Sequence, residues 1–335
     1  MVDKMSAVLE KYDMEITAVR KGRGSMIIET NQGMKVLKEY NGPVRKLDLI
    51  HTVLEQLEEV GYNRIDHIIR NKEGELYTKD MDGRMMVLKD YIEGRECNVK
   101  VKEEILQAVR ELGKLHNAFQ KCENENLTEL PLQNLKEEMF RHNREIIHIY
   151  RYLKKIGDKS LFEQELLSSF PYFMDQAKGT LQELGENSCL KEINDENVKK
   201  CESNLYSLCH GDYQYHNVIL HNGEVYVTNF EKVGRGGQVR DLYLFLRKVL
   251  EKYNWSVYLA EEMLDNYQNE RQLVDYERKE LYDRVRYPEK FWKIANFYMN
   301  SRKSWQPERN REKLQRVLSQ EADKVKVLSF LENYN

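Results

Sequence analysis

The stretch Leu208-Cys209-His210-Gly211-Asp212-Tyr213-Gln214-Tyr215-His216-Asn217, continued by Glu224-Val225-Tyr226-Val227-Thr228-Asn229-Phe230-Glu231, decides how this chain reads. Tyr206 to Cys209 is short, apolar and bounded by His-Gly, and Asn222-Gly223 is a turn signal ahead of a second apolar run. The pattern predicts a strand, a polar loop and a hairpin. Phosphoryl transfer asks little covalent chemistry of a protein: a base to orient and deprotonate the acceptor hydroxyl, and oxygen ligands that hold a metal against the phosphates. Asp212 suits the base. Asn217, five positions on, offers a side-chain oxygen to the metal. Position 229 is where the second, stronger metal ligand belongs, and it is Asn.

His-Gly-Asp-x4-Asn, followed by an apolar strand and an acidic pair, resembles the aminoglycoside phosphotransferase and choline kinase superfamily. Within it, the chain looks like the bacterial spore-coat CotS-type kinase-like family. Tyr91 to Cys97, Leu112-Gly113-Lys114-Leu115-His116, and Tyr287-Pro288-Glu289-Lys290-Phe291-Trp292-Lys293 with Asn296 and Tyr298 carry the narrower match. The likeness spans nearly the whole chain. Its departure is Thr228-Asn229-Phe230-Glu231, where the family pattern has an aspartate in place of Asn229. The resemblance implies an α+β, protein-kinase-like two-lobed fold, with a small antiparallel-sheet N-lobe and a large mainly helical C-lobe. It implies ATP and Mg as cofactors, synthesis in the mother-cell cytoplasm of a sporulating cell, and spore coat proteins as partners.

Composition agrees with such a fold. The 335 residues, 41% hydrophobic, are enough for one large or two modest domains. The 53 basic and 56 acidic residues leave a net charge of −3, which gives no electrostatic case for nucleic acid or an anionic membrane as partner, although local basic patches are compatible with it. Five Cys, an odd number, include no Cys-x-x-Cys pair, so free thiols in a reducing cytoplasm are expected. The N-terminus lacks an apolar signal core, and no run approaches the ~20 apolar residues of a membrane span.

Along the chain, strands are expected at Ile16 to Lys21, Ser25 to Thr30, Met34 to Tyr40, His67 to Arg70, Glu75 to Lys79 and Arg84 to Ile92. One helix, Leu47 to Val60, interrupts them, with apolar residues at Leu47, Ile50, Leu54 and Leu57. After Gly94 helices take over: Glu103 to Phe119, Phe140 to Leu153, Leu161 to Leu184, Arg240 to Lys252, Val257 to Tyr267, Pro288 to Lys303 and Arg311 to Leu331. The composition shift therefore places an N-lobe at 1–93 and a helical C-lobe at 94–335. Gly185 to Lys200 reads as an exposed loop.

Lys38 is the candidate phosphate-binding lysine. It ends a strand, shares a face with Val36 and Met34, and calls for a carboxylate from Glu55 or Glu58 on the following helix. Gly22-Arg23-Gly24 reads as a phosphate loop or a plain hairpin turn. His210 and His116 read as packed or loop-holding side chains, and Asp241 as a brace. Phe291, Trp292, Phe297, Tyr298 and Trp305 read as helix packing rather than a groove.

Asn229 sets the functional expectation. Mg²⁺ prefers charged oxygens. Two unit charges at ~4 Å interact by about 4 kcal/mol at an effective dielectric near 20, so replacing carboxylate by amide costs on the order of a thousandfold in rate. Glu231 offers a compensating carboxylate. The main expectation is a catalytically impaired, kinase-like spore coat component or assembly factor. The alternative is an active ATP-dependent phosphotransferase for a small-molecule hydroxyl, with Asp212 as base, Asn217 with Asn229 or Glu231 on the metal, and Lys38 on the phosphates. An antibiotic-modifying kinase, which calls for an acidic acceptor groove, fits the scattered acidic residues less well.

Overall fold

The structure, a computed structural model, describes residues 2–22, 24–186, 207–300 and 307–334. Two compact units make it up: Met1–Pro131 with Leu208–Arg235, and Leu132–Ser207 with Gly236–Asn335. Compactness thus groups the stretch carrying His210 to Glu231 with the first strands, whereas the change of composition falls after Glu93.

In the first unit, β1 (Ile16–Lys21), β2 (Met26–Thr30), β3 (Gly33–Glu39), β4 (Thr78–Lys79) and β5 (Met85–Asp90) form one antiparallel sheet in the order β1-β2-β3-β5-β4. The register puts Leu37 opposite Leu88 and Val36 opposite Lys89. Because side chains alternate across a strand, Leu37, Leu88 and Met86 share one face with Ile28. Helix α1 (Val2–Leu9) and Tyr12 cover that face through Val8 and Leu9. This amino-terminal helix was not expected; at eight residues it is too short to show a period. Helix α2 (Val44–Glu59) buries Leu47, Ile50, Val53, Leu54 and Leu57 and begins directly after Pro43, three residues before the apolar repeat starts.

The expected strand at His67 to Arg70 reduces to isolated bridges, Ile65 with Val227 and Ile68 with Lys89. Segment 64–69 runs between two sheets. The Val227 N–H donates to the Arg64 carbonyl at 2.9 Å, and the Asp90 N–H donates to the His67 carbonyl at 2.9 Å. The second sheet is β6 (Arg95–Glu96), β8 (Val218–His221) and β9 (Glu224–Val227). The third pairs β7 (Leu208–Cys209) with β10 (Gly234–Arg235). Helix α3 (Lys102–Phe119) completes the unit, and the Tyr213 hydroxyl donates to the Ala108 carbonyl at 2.7 Å.

The second unit holds α4 (Leu135–Lys155), α5 (Leu161–Glu186), α6 (Val239–Leu250), α7 (Val257–Gln268), α8 (Asp275–Arg286), α9 (Glu289–Asn300) and α10 (Pro307–Asn333). Its core centres on Phe170, Phe173 and Phe291. Phe173 stacks on Phe291 at 4.2 Å and Phe170 meets it edge-on at 5.0 Å. Trp292 and Tyr298 pack against the same cluster, as helix packing requires. Trp305, Arg23, Cys189, Cys201 and residues 301–303 lie outside the described residues, as does the loop expected at Gly185 to Lys200 except for residues 185 and 186, which end helix α5 instead.

Helix α8 was not expected, because its buried face mixes only two large apolar residues, Leu281 and Val285, with the charged Glu277, Asp283 and Arg284. Arg271 pairs with Glu277 at 2.5 Å, Lys279 with Asp283 at 2.9 Å and Arg284 with Glu280 at 2.7 Å. Cys97, Cys122 and Cys209 are free thiols, and burial pushes Cys122 up to about 11. Among the described residues, no helix is long and apolar enough to cross a membrane.

Phe291 is fully buried between two aromatic rings. Phe291→Ala is expected to cost about 3–5 kcal/mol through lost burial and a cavity. Urea unfolding checks this; a loss below about 1 kcal/mol would show that the ring cluster does not hold the helical unit together.

Candidate functional site

The loop from His210 to Asn217 is held by its own sequence. Gly211 has φ +78°, and a Cβ there would lie 2.1 Å from the Lys232 carbonyl oxygen, so only glycine lets the loop approach the 230–232 turn. His210 is fully buried. Its Nδ1 accepts the Asp212 N–H at 3.2 Å, and its Nε2 sits 3.0 Å from the Thr228 carbonyl. A carbonyl only accepts, so these two partners define the neutral tautomer protonated at Nε2. His210 is thereby a loop brace. Its ring meets Phe230 at 4.7 Å, and Phe230 meets Phe119 at 6.5 Å, which anchors the turn after residue 229.

Asp212 is largely buried, and both of its carboxylate oxygens are engaged: Gln214 Nε2 donates to Oδ1, and Lys232 Nζ donates to Oδ2 at 3.0 Å. Burial pushes the carboxyl up. The hydrogen bonds from Lys232 and Gln214 and the Lys232 charge outweigh it and hold Asp212 below its ordinary value. Asn217 lies five residues on, and its amide donates to the Asp212 carbonyl at 2.8 Å. That bond turns its oxygen outward.

Asn229 takes up the outward oxygen. Its Nδ2 donates to Asn217 Oδ1 at 3.3 Å. Its backbone is left-handed, φ 69° and ψ 58°, a conformation that Asn and Asp reach more readily than other side chains. Its N–H donates to Asp66 Oδ1 at 3.1 Å, and Asp66 Oδ2 lies 3.6 Å from Lys89 Nζ in a pair that is nearly dry. Residues 212, 217, 229 and 66 thus form one connected polar cluster.

Glu231 lies on the short helical turn Phe230–Lys232, close enough to Tyr40 that its charge, after burial, helps raise that phenol. Lys38 is half-buried near the end of β3. The carboxylates expected to join it lie elsewhere: Glu55 sits 3.2 Å from His51, and Glu58 sits 3.9 Å from His67. The lysines of this sheet that meet carboxylates are Lys35, with Asp90 at 2.7 Å, and Lys89, with Asp66.

As a metal centre, the donor set fits Mg²⁺ poorly. The Asn217 oxygen faces an amide N–H, and the described residues contain no group of three His, Cys, Asp or Glu placed to share an ion. Lys232, Gln214, Asp66 and Lys89 were missed in the sequence. Lys232 follows directly on Glu231 and carried that much signal; Asp66 and Lys89 meet residue 229 only through tertiary pairing.

The model of the family described as spore coat putative kinase YutH matches residues 5–331. The chain is similar to the solved aminoglycoside phosphotransferase of Alicyclobacillus acidocaldarius subsp. acidocaldarius, at 18% identity and a TM-score of 0.82, over 98% of this chain and 95% of that one. Spectinomycin phosphotransferase APH(9)-Ia, solved with ADP and spectinomycin, is 11% identical with a TM-score of 0.63, over 95% and 98%. A microcompartment-associated aminopropanol kinase is 13% identical with a TM-score of 0.62, over 100% and 97%. At these identities the likeness shows the fold, which is the kinase-like two-lobed α+β fold.

Two outcomes are expected from this geometry. Asp66→Ala leaves Lys89 buried without its carboxylate and should cost about 3 kcal/mol or more, while Asp66→Leu with Lys89→Met should recover much of the loss in urea unfolding; equal losses would show that the pair is not the source. Asp212, depressed when folded, contributes stability that is full above the ordinary Asp value near ~3.9 and is lost as pH falls through the lower folded value. Lys232→Met should move the Asp212 midpoint upward in a carboxyl NMR titration, and an unmoved midpoint would remove Lys232 as a cause.

Proposed function

Since the chain belongs to the YutH family of CotS-type spore coat kinase-like proteins, we propose that it is a coat-associated protein that binds nucleotide and whose phosphotransfer is weak or lost. One observation carries the reading: the Asn229 amide donates into Asn217 Oδ1, the oxygen that phosphotransferase chemistry would use on a metal. An N–H and a cation cannot share that position. A carboxylate in place of the Asn229 amide would present an oxygen to the same place and would add the negative charge that a hard cation prefers.

Nucleotide binding asks less than turnover. Lys38, Asp212 and Asn217 remain as candidate phosphate- and acceptor-side groups, and the spectinomycin phosphotransferase of the same fold is solved with ADP. Catalytic work by Asp212 is further limited by its partners. Its depressed carboxyl already accepts from Lys232 and Gln214, which makes it a weaker base toward an incoming hydroxyl. The two lobes proposed are residues 1–93 and 94–335. Spore coat proteins are the proposed partners, and the coat is the proposed location.

Purified native protein is expected to bind ADP and to show no Mg²⁺-dependent ATP hydrolysis above background. Asn229→Asp is expected to raise hydrolysis at least tenfold, and Asp212→Ala in that background to abolish the gain. Metal-dependent turnover by the native chain that Asp212→Ala removes would overturn the proposal in favour of an active phosphotransferase for a small-molecule hydroxyl.

A further inference from the structure

Helix α4 carries a row of basic side chains beside its buried seam. Met139, His142, Ile146, Ile149 and Leu153 face inward, and Arg141, Arg144, His148 and Arg151 follow at spacings of three, four and three on the adjoining face. Ten residues at 1.5 Å rise make the row about 15 Å long. The row lines a groove of about 800 Å³ completed by Asn296, Met299 and Asn300 of α9.

The groove's acidic residue, Glu145, is already committed: its Oε2 accepts Trp292 Nε1 at 2.7 Å and Asn296 Nδ2 at 3.2 Å, with Trp292 stacked on His142 at 3.4 Å. Among the described residues, Arg141, Arg144, His148 and Arg151 have no ion pair. Other arginines of this unit do meet carboxylates, Arg247 with Glu251, Arg271 with Glu277 and Arg311 with Glu165.

We propose that this groove binds a small, multiply phosphorylated ligand. Arg141 and Arg144, three residues apart on one helix face, repel one another. An anion between them reverses that repulsion. Three of the four basic side chains are arginines, whose planar forks match phosphate oxygens two at a time. The row rises about 4.5 to 6 Å between neighbours, a spacing that lets the terminal phosphates of one compact ligand meet two neighbouring basic side chains at once. The groove's volume lies in the ~300–1,000 Å³ range of small-molecule sites and favours such a ligand over a flat macromolecular face. The site lies wholly within the helical unit and does not depend on the nucleotide proposal.

Isothermal titration of the full-length protein with sodium tripolyphosphate, in the presence of saturating ADP, tests the site. Arg144→Glu with Arg151→Glu, both exposed and unneeded for packing, is expected to weaken binding at least tenfold without lowering the melting temperature. Lys38→Ala is expected to leave it unchanged, and raising salt to weaken it. Binding that the double charge reversal leaves intact, binding lost in Lys38→Ala, or no tripolyphosphate binding at all would each overturn the proposal. Binding of heparin alone, without tripolyphosphate, would also overturn it and assign the face to a macromolecular polyanion.

Discussion

Gly211 carries no side chain, and on that rests the placement of every polar group around Asp212. The loop and the 230–232 turn approach to within a Cβ's reach of clash, and His210 bridges the remaining gap by accepting from the Asp212 N–H and meeting the Thr228 carbonyl. Once this brace is set, Asp212, Asn217 and Asn229 have little freedom. The Asn217 amide is tied back to its own loop, its oxygen points at residue 229, and residue 229 is held in a left-handed backbone by the Asp66 carboxylate. The loop is fixed in detail by its own residues, and the departure from the resembled sequence pattern is one side chain held within it, Asn229.

The difference matters through charge more than shape. Asn and Asp are nearly the same size and both reach the left-handed region, so the backbone at 229 accommodates either. An amide N–H directed at Asn217 Oδ1 stands where the resembled pattern has a carboxylate, the charged oxygen that a hard cation prefers. On the other side of the loop, Lys232 brings a positive charge to Asp212 from the turn that follows position 229. The cluster is therefore balanced within the protein: Asp212 with Lys232, and Asp66 with Lys89. Such internal pairing lowers the demand for an external cation, which agrees with the weak donor set at 217 and 229.

Much of this was legible in the sequence because it is local. His210-Gly211-Asp212, Asn217 and Asn229 are separated by a loop and a short hairpin whose turn signals are explicit, so their convergence follows from the strand pattern. The main helices were legible from apolar spacing. Helix α8 was not, because its inner face mixes Leu281 and Val285 with buried charges such as Arg284, which pairs with Glu280. Asp66 and Lys89 were hidden for a different reason: segment 64–69 joins two sheets by isolated bridges, and no periodicity announces that. For Lys38, the sequence supplied the strand and the face but misjudged the partners, since Glu55 and Glu58 meet histidines instead.

The central claim is the proposal that the Asn229 amide, by donating into Asn217 Oδ1, leaves no working metal position beside bound nucleotide. Titration of ADP into the protein with and without Mg²⁺ tests it most directly, because it reads the metal's contribution to binding and not a rate. Dissociation constants that agree within about twofold are the predicted result. A tenfold or greater tightening by Mg²⁺, equivalent to about 1.4 kcal/mol of coupling, would contradict it and would mean that the amide at 229 leaves the metal site working.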